Sequence, residues 1–254
     1  MKLFHNFPIK FHMKRDASIF YLFPALSLLW LAVGCTHGRP GAMLSKTKAA
    51  PSLMDQLAAI DYEDQRYRQE IEPVINAEPM DSAKLKTLFK KIHRADSINL
   101  LAIRHILDHE GWPDPKQVGI EGSVTVWAVL QHADLKTREQ YLDMVTQAVT
   151  DKKLEPKYRG YLEDRIAGDK GMKQRYGTQQ FLISKHKTVL APLLDPDKVD
   201  SWRKEVGMEP LLDHLKRSID SSWTWDQYYR DLPEGEAILK KKKEYFDAHK
   251  ALQP

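Results

Sequence analysis

The chain has 254 residues, 42% of them apolar and 29% charged, and a mean hydropathy of −0.53 excludes a polytopic membrane protein. Twelve Gly and fourteen Pro exclude a collagenous or low-complexity chain, and a single Cys excludes an internal disulfide framework and any cysteine-cluster zinc site. The net charge is +4, but four of the 39 basic residues and one of the 35 acidic ones fall in residues 1–34, which leaves 35 against 34 elsewhere. The body is nearly neutral and lacks the basic footprint of a nucleic-acid binder, so no nucleic-acid partner is expected.

Lys14 and Arg15 precede an uncharged run over residues 17–34 that is rich in Phe, Leu and Ile. This is the charged and apolar arrangement of a secretory signal peptide. It ends in Leu31-Ala32-Val33-Gly34-Cys35, which resembles a bacterial lipoprotein signal. The resemblance implies cleavage after the small Gly34 and attachment of acyl chains to Cys35. Ala32 departs from the pattern, in which Leu is most usual there. Met13 begins a more ordinary leader than Met1 does. Two other readings exist: an uncleaved membrane helix, since about 18 apolar residues just span a bilayer, and a buried structural Cys. The place of the only Cys at the end of the apolar run favours lipidation, with a membrane as partner and an envelope location outside the cytoplasm.

Residues 1–34 thus read as signal peptide, 35–50 as a flexible tether, 51–220 as a helical domain and 221–254 as an aromatic and lysine-rich extension. Leu53, Leu57, Ile60, Tyr67 and Ile71 form one helical stripe; Leu85, Phe89, Ile92, Ile103 and Ile106 form another, which ends at Gly111-Trp112-Pro113. Residues 124–130 are apolar all round and predict a buried central helix. Residues 137–149 and 156–166 give two amphipathic helices, the second with Pro in its first turn. Gly168, Gly171 and Gly177 mark a loop, after which 181–183 and 188–190 predict a small β-hairpin. Further helices are expected over 199–206, closed by Gly207, and over 210–219. Trp223, Trp225, Tyr228 and Tyr229 suit either a sugar-stacking platform or a staple for the tail. The run 240–243 is four lysines in a terminal helix, by default a solvated face. The fold class expected is mostly α, a single multi-helix domain of the orthogonal-bundle kind.

Polar residues on apolar faces carry the functional signal, because burial without a partner is costly. Asp64 lies seven residues from both Leu57 and Ile71, at the centre of its stripe. Asp96 and Asn99 sit between Ile92 and Ile103. Arg165 lies four after Tyr161 and seven after Tyr158, and Gln131 and His132 end the most apolar helix with Asp134 just beyond. The mixture suits a small polar or anionic ligand, with Arg165 as a clamp for carboxylate or phosphate. It also suits acid–base work, with His132 as proton carrier oriented by Asp134 or Asp96. Asp64, Asn99, Gln131, Tyr176 and Gln179 complete the expected binding set. The competing expectation is an internal salt-bridge network that only fixes helix register.

Asp96-x-x-Asn99, Gly111-Trp112-Pro113, Gln131-His132-Ala133-Asp134, Asp164-Arg165 and Gln174-x-Tyr176-Gly177-Thr178-Gln179 resemble the ordered motif series of an uncharacterised bacterial domain family. The likeness covers roughly residues 55–215 and leaves out the leader and the tail. It implies a shared helical fold and one common site for these positions, and it implies no reaction.

His105 and His109 have a metal-compatible spacing, but the His-Glu-x-x-His order is missing, so no metal is expected. Serine elbows, phosphate loops and dinucleotide fingerprints are missing as well, and no cofactor is expected. Whether the chain is an enzyme is left open. It is read as an exported, lipid-anchored helical protein with a ligand site that suits hydrolysis, or as a non-catalytic envelope scaffold.

Overall fold

The computed structural model describes residues 50–184 and 187–250, apart from the side chain of Lys250. The leader, Cys35 and the rest of the tether lie outside the described residues. Within them the chain is mostly α-helical, with one two-stranded antiparallel sheet. No helix among the described residues is long and apolar enough to cross a membrane.

Local sequence sets most of the boundaries. Ser52 caps α1 (Leu53–Arg66), its hydroxyl accepting from the Asp55 amide at 3.2 Å while the Asp55 carboxylate turns back to Ser52. A turn then breaks the stripe, so Ile71 belongs to a separate short helix, α2 (Ile71–Asn76). Asp81 caps α3 (Ser82–Glu110), and Gly111, at φ 73°, ends it. α4 (Pro115–His132) starts with Asp114 as cap and Pro115 in its first turn, and bends at Gly119. The predicted central helix is the second limb of this element. α5 (Leu135–Thr150) and α6 (Pro156–Asp169) follow. The expected hairpin forms from β1 (Gln180–Ser184) and β2 (Lys187–Leu190), with Phe181 opposite Val189 and Leu182 opposite Thr188. α7 (Val199–Glu205), α8 (Leu211–Ser218) and the long α9 (Trp225–Lys250) complete the chain.

The second limb of α4 is mostly apolar because helices pack around it. Val126, Trp127, Val129 and Leu130 are buried against Leu57 of α1, Ile103 and Leu107 of α3, Tyr141 and Val145 of α5, and Leu162 of α6. Each such side chain contributes about 1.5–3 kcal/mol by leaving water. The Trp127 indole satisfies its N–H on the Tyr158 carbonyl at 2.8 Å, which ties α4 to α6. The consequence for function is positional: the last turn of α4 delivers Gln131 and His132 to the place where α1, α3, α5 and α6 meet.

A second core joins Leu190, Leu193, Val199, Leu211 and Leu215 to Trp223 and Tyr228. The Tyr228 hydroxyl accepts from the Leu193 amide at 3.0 Å. Trp223 and Tyr228 are therefore internal and staple the tail to the domain, while Tyr229 of the same cluster is exposed. Beyond it α9 runs against β2 and α6. Gly171, at φ +69°, permits this approach, because a Cβ there would strike the backbone of Lys243.

Gly171→Ala should destabilise the fold by about 2 kcal/mol or more, since a left-handed Ala costs about 1–2 kcal/mol before α9 is displaced. Gly168→Ala, at a helical position with open space around its Cβ, should instead be neutral or stabilising by about 0.5–1 kcal/mol. Urea unfolding of the two variants checks the contrast.

Candidate functional site

Asp64, near the end of α1, has only 2% of its surface exposed. A carboxylate this buried needs compensation, and three side chains supply it. His132 Nδ1 lies 3.0 Å from Asp64 Oδ1, the Gln65 amide donates to Oδ2 at 2.7 Å, and Arg68 Nη1 stands 3.6 Å from Oδ1. Arg68 also donates to the Asp64 carbonyl at 2.6 Å and to Asp96 Oδ1 of α3 at 2.7 Å. One guanidinium thus bridges two carboxylates from different helices. Asn99, one turn beyond Asp96, donates to the Ile60 carbonyl at 3.4 Å and ties α3 to α1.

Burial alone would raise Asp64, but His132, Arg68 and Gln65 outweigh it and hold the carboxyl below its ordinary range. Burial pushes His132 below the usual imidazole value despite the pull of Asp64, so the ring is neutral at pH 7. The bond to an ionised Asp64 places the imidazole proton on Nδ1. Nε2 then carries the lone pair, and it makes no hydrogen bond among the described residues. This is a carboxylate-oriented imidazole, the pairing that serves proton abstraction in many hydrolases.

A second charged group adjoins the first. Arg138 of α5 donates to the Gln131 carbonyl at 3.3 Å and is ion-paired with Asp169 at the end of α6. Lys242 of α9 reaches the other Asp169 oxygen at 3.0 Å. Arg165, one turn before Asp169, lies within electrostatic reach of Arg138, Asp169, Arg68 and Asp96. It has no hydrogen bond or ion pair among the described residues. Burial and the like charge of Arg138 push its guanidinium down to about 10, so it remains a cation at neutral pH.

The network is neither sealed nor complete. The side chains of His132, Asp96 and Asp169 keep 13%, 19% and 25% of their surface exposed, and Arg165 is only partly buried. Gln131 Oε1, Arg68 Nε and Arg138 Nε are buried and have no hydrogen-bond partner among the described residues.

The other expected positions lie in different surroundings. Asp134 is exposed and caps α5 through the Thr137 amide at 2.8 Å; the carboxylate against His132 is Asp64. Tyr176 and Gln179 belong to a loop built on Asp164. That carboxylate, pushed up to about 6 by burial against the pull of its donors, accepts from the amides of Arg175, Tyr176 and Thr178 and from the Thr178 hydroxyl. Gln179 donates to the Thr178 hydroxyl at 3.0 Å, and the Tyr176 ring packs with Val206 and Met208. None of these bonds reaches His132 or Arg165. Cys35 is outside the described residues.

Sequence inspection missed Arg68, Arg138, Asp169 and Lys242, although the stripes held a signal. Arg138 precedes Tyr141 and Val145 by three and seven residues, and Lys242 follows Leu239 by three.

Donor atoms of Asp64, Asp96 and His132 lie within 4.8 Å of one another, close enough to hold a metal ion. Arg68 already supplies positive charge to both carboxylates, so an ion there would have to displace its guanidinium. His105 and His109 are exposed on α3, with His109 Nδ1 turned to the His105 carbonyl at 2.8 Å.

Because the folded imidazole binds its proton less readily than a free one, stability should fall as pH drops through the ordinary histidine range near 6.5. It should fall again below 3.8, as Asp64 is protonated in the unfolded chain and resists protonation in the folded one. Long-range 1H–15N correlation spectra should show His132 titrating below its usual pKa, and Asp64→Asn should lower that value further by removing the anion that favours imidazolium.

No curated protein and no solved structure matches the chain. Residues 51–224 match a family model described as a Family of unknown function (DUF6624), and with more than half its length covered, the chain belongs to that family.

Proposed function

We propose that this protein binds a small ligand bearing a phosphate or carboxylate group, and that the Asp64–His132 pair acts on it as acid and base. The observation that carries the proposal is Arg165: a desolvated guanidinium on a partly buried residue, with no counter-ion among the described residues, which shares Arg68 and Asp96 as charged neighbours with an imidazole whose Nε2 makes no hydrogen bond among them. Arg68, Arg138 and Lys242 are each paired with a carboxylate of Asp64, Asp96 or Asp169, and Arg165 is the cation of this group with no ion pair among the described residues. An oxyanion on Arg165 would complete it. In a hydrolytic reaction His132 Nε2 would take a proton from water, the hydroxide would attack the acyl or phosphoryl centre, and the imidazolium would return that proton to the leaving group. Asp64 would stabilise the transient imidazolium, and Arg165 the charge on the attacked group.

The non-catalytic reading keeps one observation in its favour: the Arg68 bridge and the Asn99 bond both tie α1 to α3 and need no ligand. The leader supports export and a lipid on Cys35, which would hold the domain at a membrane surface.

A thermal-shift screen of the full-length protein against inorganic phosphate, sulfate and short carboxylates tests the ligand. At about 100 times the dissociation constant a bound anion should add about 2.7 kcal/mol of stability. Arg165→Met should abolish that gain while leaving the unliganded protein as stable as before or more so, because it removes a desolvated charge that has no ion pair among the described residues. Loss of folding in Arg165→Met together with no response of the parent to any anion would favour the scaffold. Lipidation is tested separately: radioactive palmitate should label the parent and fail to label Cys35→Ser.

A further inference from the structure

We infer that Lys242, on a helix beyond the segment matched to the family, is a positioning residue that keeps Asp169 away from Arg165 and so leaves Arg165 free for an anion. The inference rests on the anion-binding reading above and adds the element that controls it.

Arg165 and Asp169 are four residues apart on α6, the spacing at which an arginine and an aspartate of one helix meet. They are close enough to interact electrostatically, yet Asp169 gives its two oxygens to other cations: Oδ2 to Arg138 of α5 and Oδ1 to Lys242 of α9. Both its acceptors are engaged by groups fixed from outside α6. Without Lys242, Oδ1 would be released, and Arg165 is the cation acting on Asp169 that has no ion pair among the described residues.

Lys242 is held for this task. Of the four lysines at 240–243 it alone turns inward, the other three being exposed. It follows Leu239 on the buried stripe of α9, and its ammonium lies 5.9 Å from the centre of the Phe181 ring of β1. The helix cannot slide easily. Gly171 meets the backbone of Lys243, Gly235 packs on Pro192, and Lys187 pairs with Asp231 at 3.2 Å and with Glu234 at 2.5 Å. The run is therefore not a uniform solvated face, since one of its charges is committed to Asp169.

A double-mutant cycle in the full-length protein tests the inference without a ligand. In the parent, Arg165→Met should leave the urea midpoint unchanged or raise it, because Arg165 is unpaired. In a Lys242→Met background the same substitution should lower the midpoint, because Arg165 has by then acquired Asp169. Isothermal titration with inorganic phosphate adds the functional arm: Lys242→Met should weaken binding about tenfold, the equivalent of about 1.4 kcal/mol. Lys242→Arg should keep the parental affinity, and Lys242→Met with Asp169→Asn should recover it. Equal effects of Arg165→Met in both backgrounds would overturn the inference even if phosphate binds. A clear cycle with a parent that binds no phosphate would leave the pairing established and defeat the anion reading instead.

Discussion

A carboxylate withdrawn from water constrains its surroundings more than any apolar residue does, and Asp64 is the one on which this arrangement depends. Its ionised form survives burial only because His132, Gln65 and Arg68 converge on it. That convergence requires the last turn of α4 to meet the end of α1. Through Arg68 and Asp96 it also requires α3 to lie alongside. The apolar core around α4 presses the helices together, and the Asp64 group fixes the register in which they stop.

Asp164 and Asp169, five residues apart on α6, follow the same physical logic. Asp164 gathers backbone amides and so shapes the 174–179 loop; Asp169 gathers side-chain cations from α5 and α9. Arg165 sits between them in sequence and belongs to neither. A fold optimised only for stability would not keep a desolvated guanidinium without a counter-ion, because an apolar residue of similar volume would pack there at lower cost. Such costs are tolerated where a ligand recovers them, which is why the unpaired cation weighs more in the functional argument than the well-paired ones.

The tail is not an appendage in the physical sense. Trp223 and Tyr228 fill the second core, and the glycine contact at 171 lays α9 along α6. A charge near the end of that helix thereby enters the same electrostatic group as residues over a hundred positions earlier. The family segment and the residues after it share one charged group, since Lys242, beyond residue 224, supplies one of the cations on Asp169.

Periodicity and capping chemistry by themselves determined that the chain is mostly helical, that a hairpin follows the glycine loop, and that Asp64, Asp96, Asn99, Gln131, His132 and Arg165 turn inward. These are consequences of spacing within single elements, where 100° per residue is enough to assign a face. Which inward groups meet was decided only by the tertiary structure. The sequence places Asp134 two residues from His132, but a helix cap turns Asp134 to solvent, and the imidazole takes a partner 68 positions away. Tyr176 and Gln179 are buried too, yet the Tyr176 backbone is taken up by Asp164 and Arg203 and the Gln179 side chain by Thr178. Charge pairing depends on distances between elements, and these follow from how whole helices pack, a property that no single stretch of residues contains.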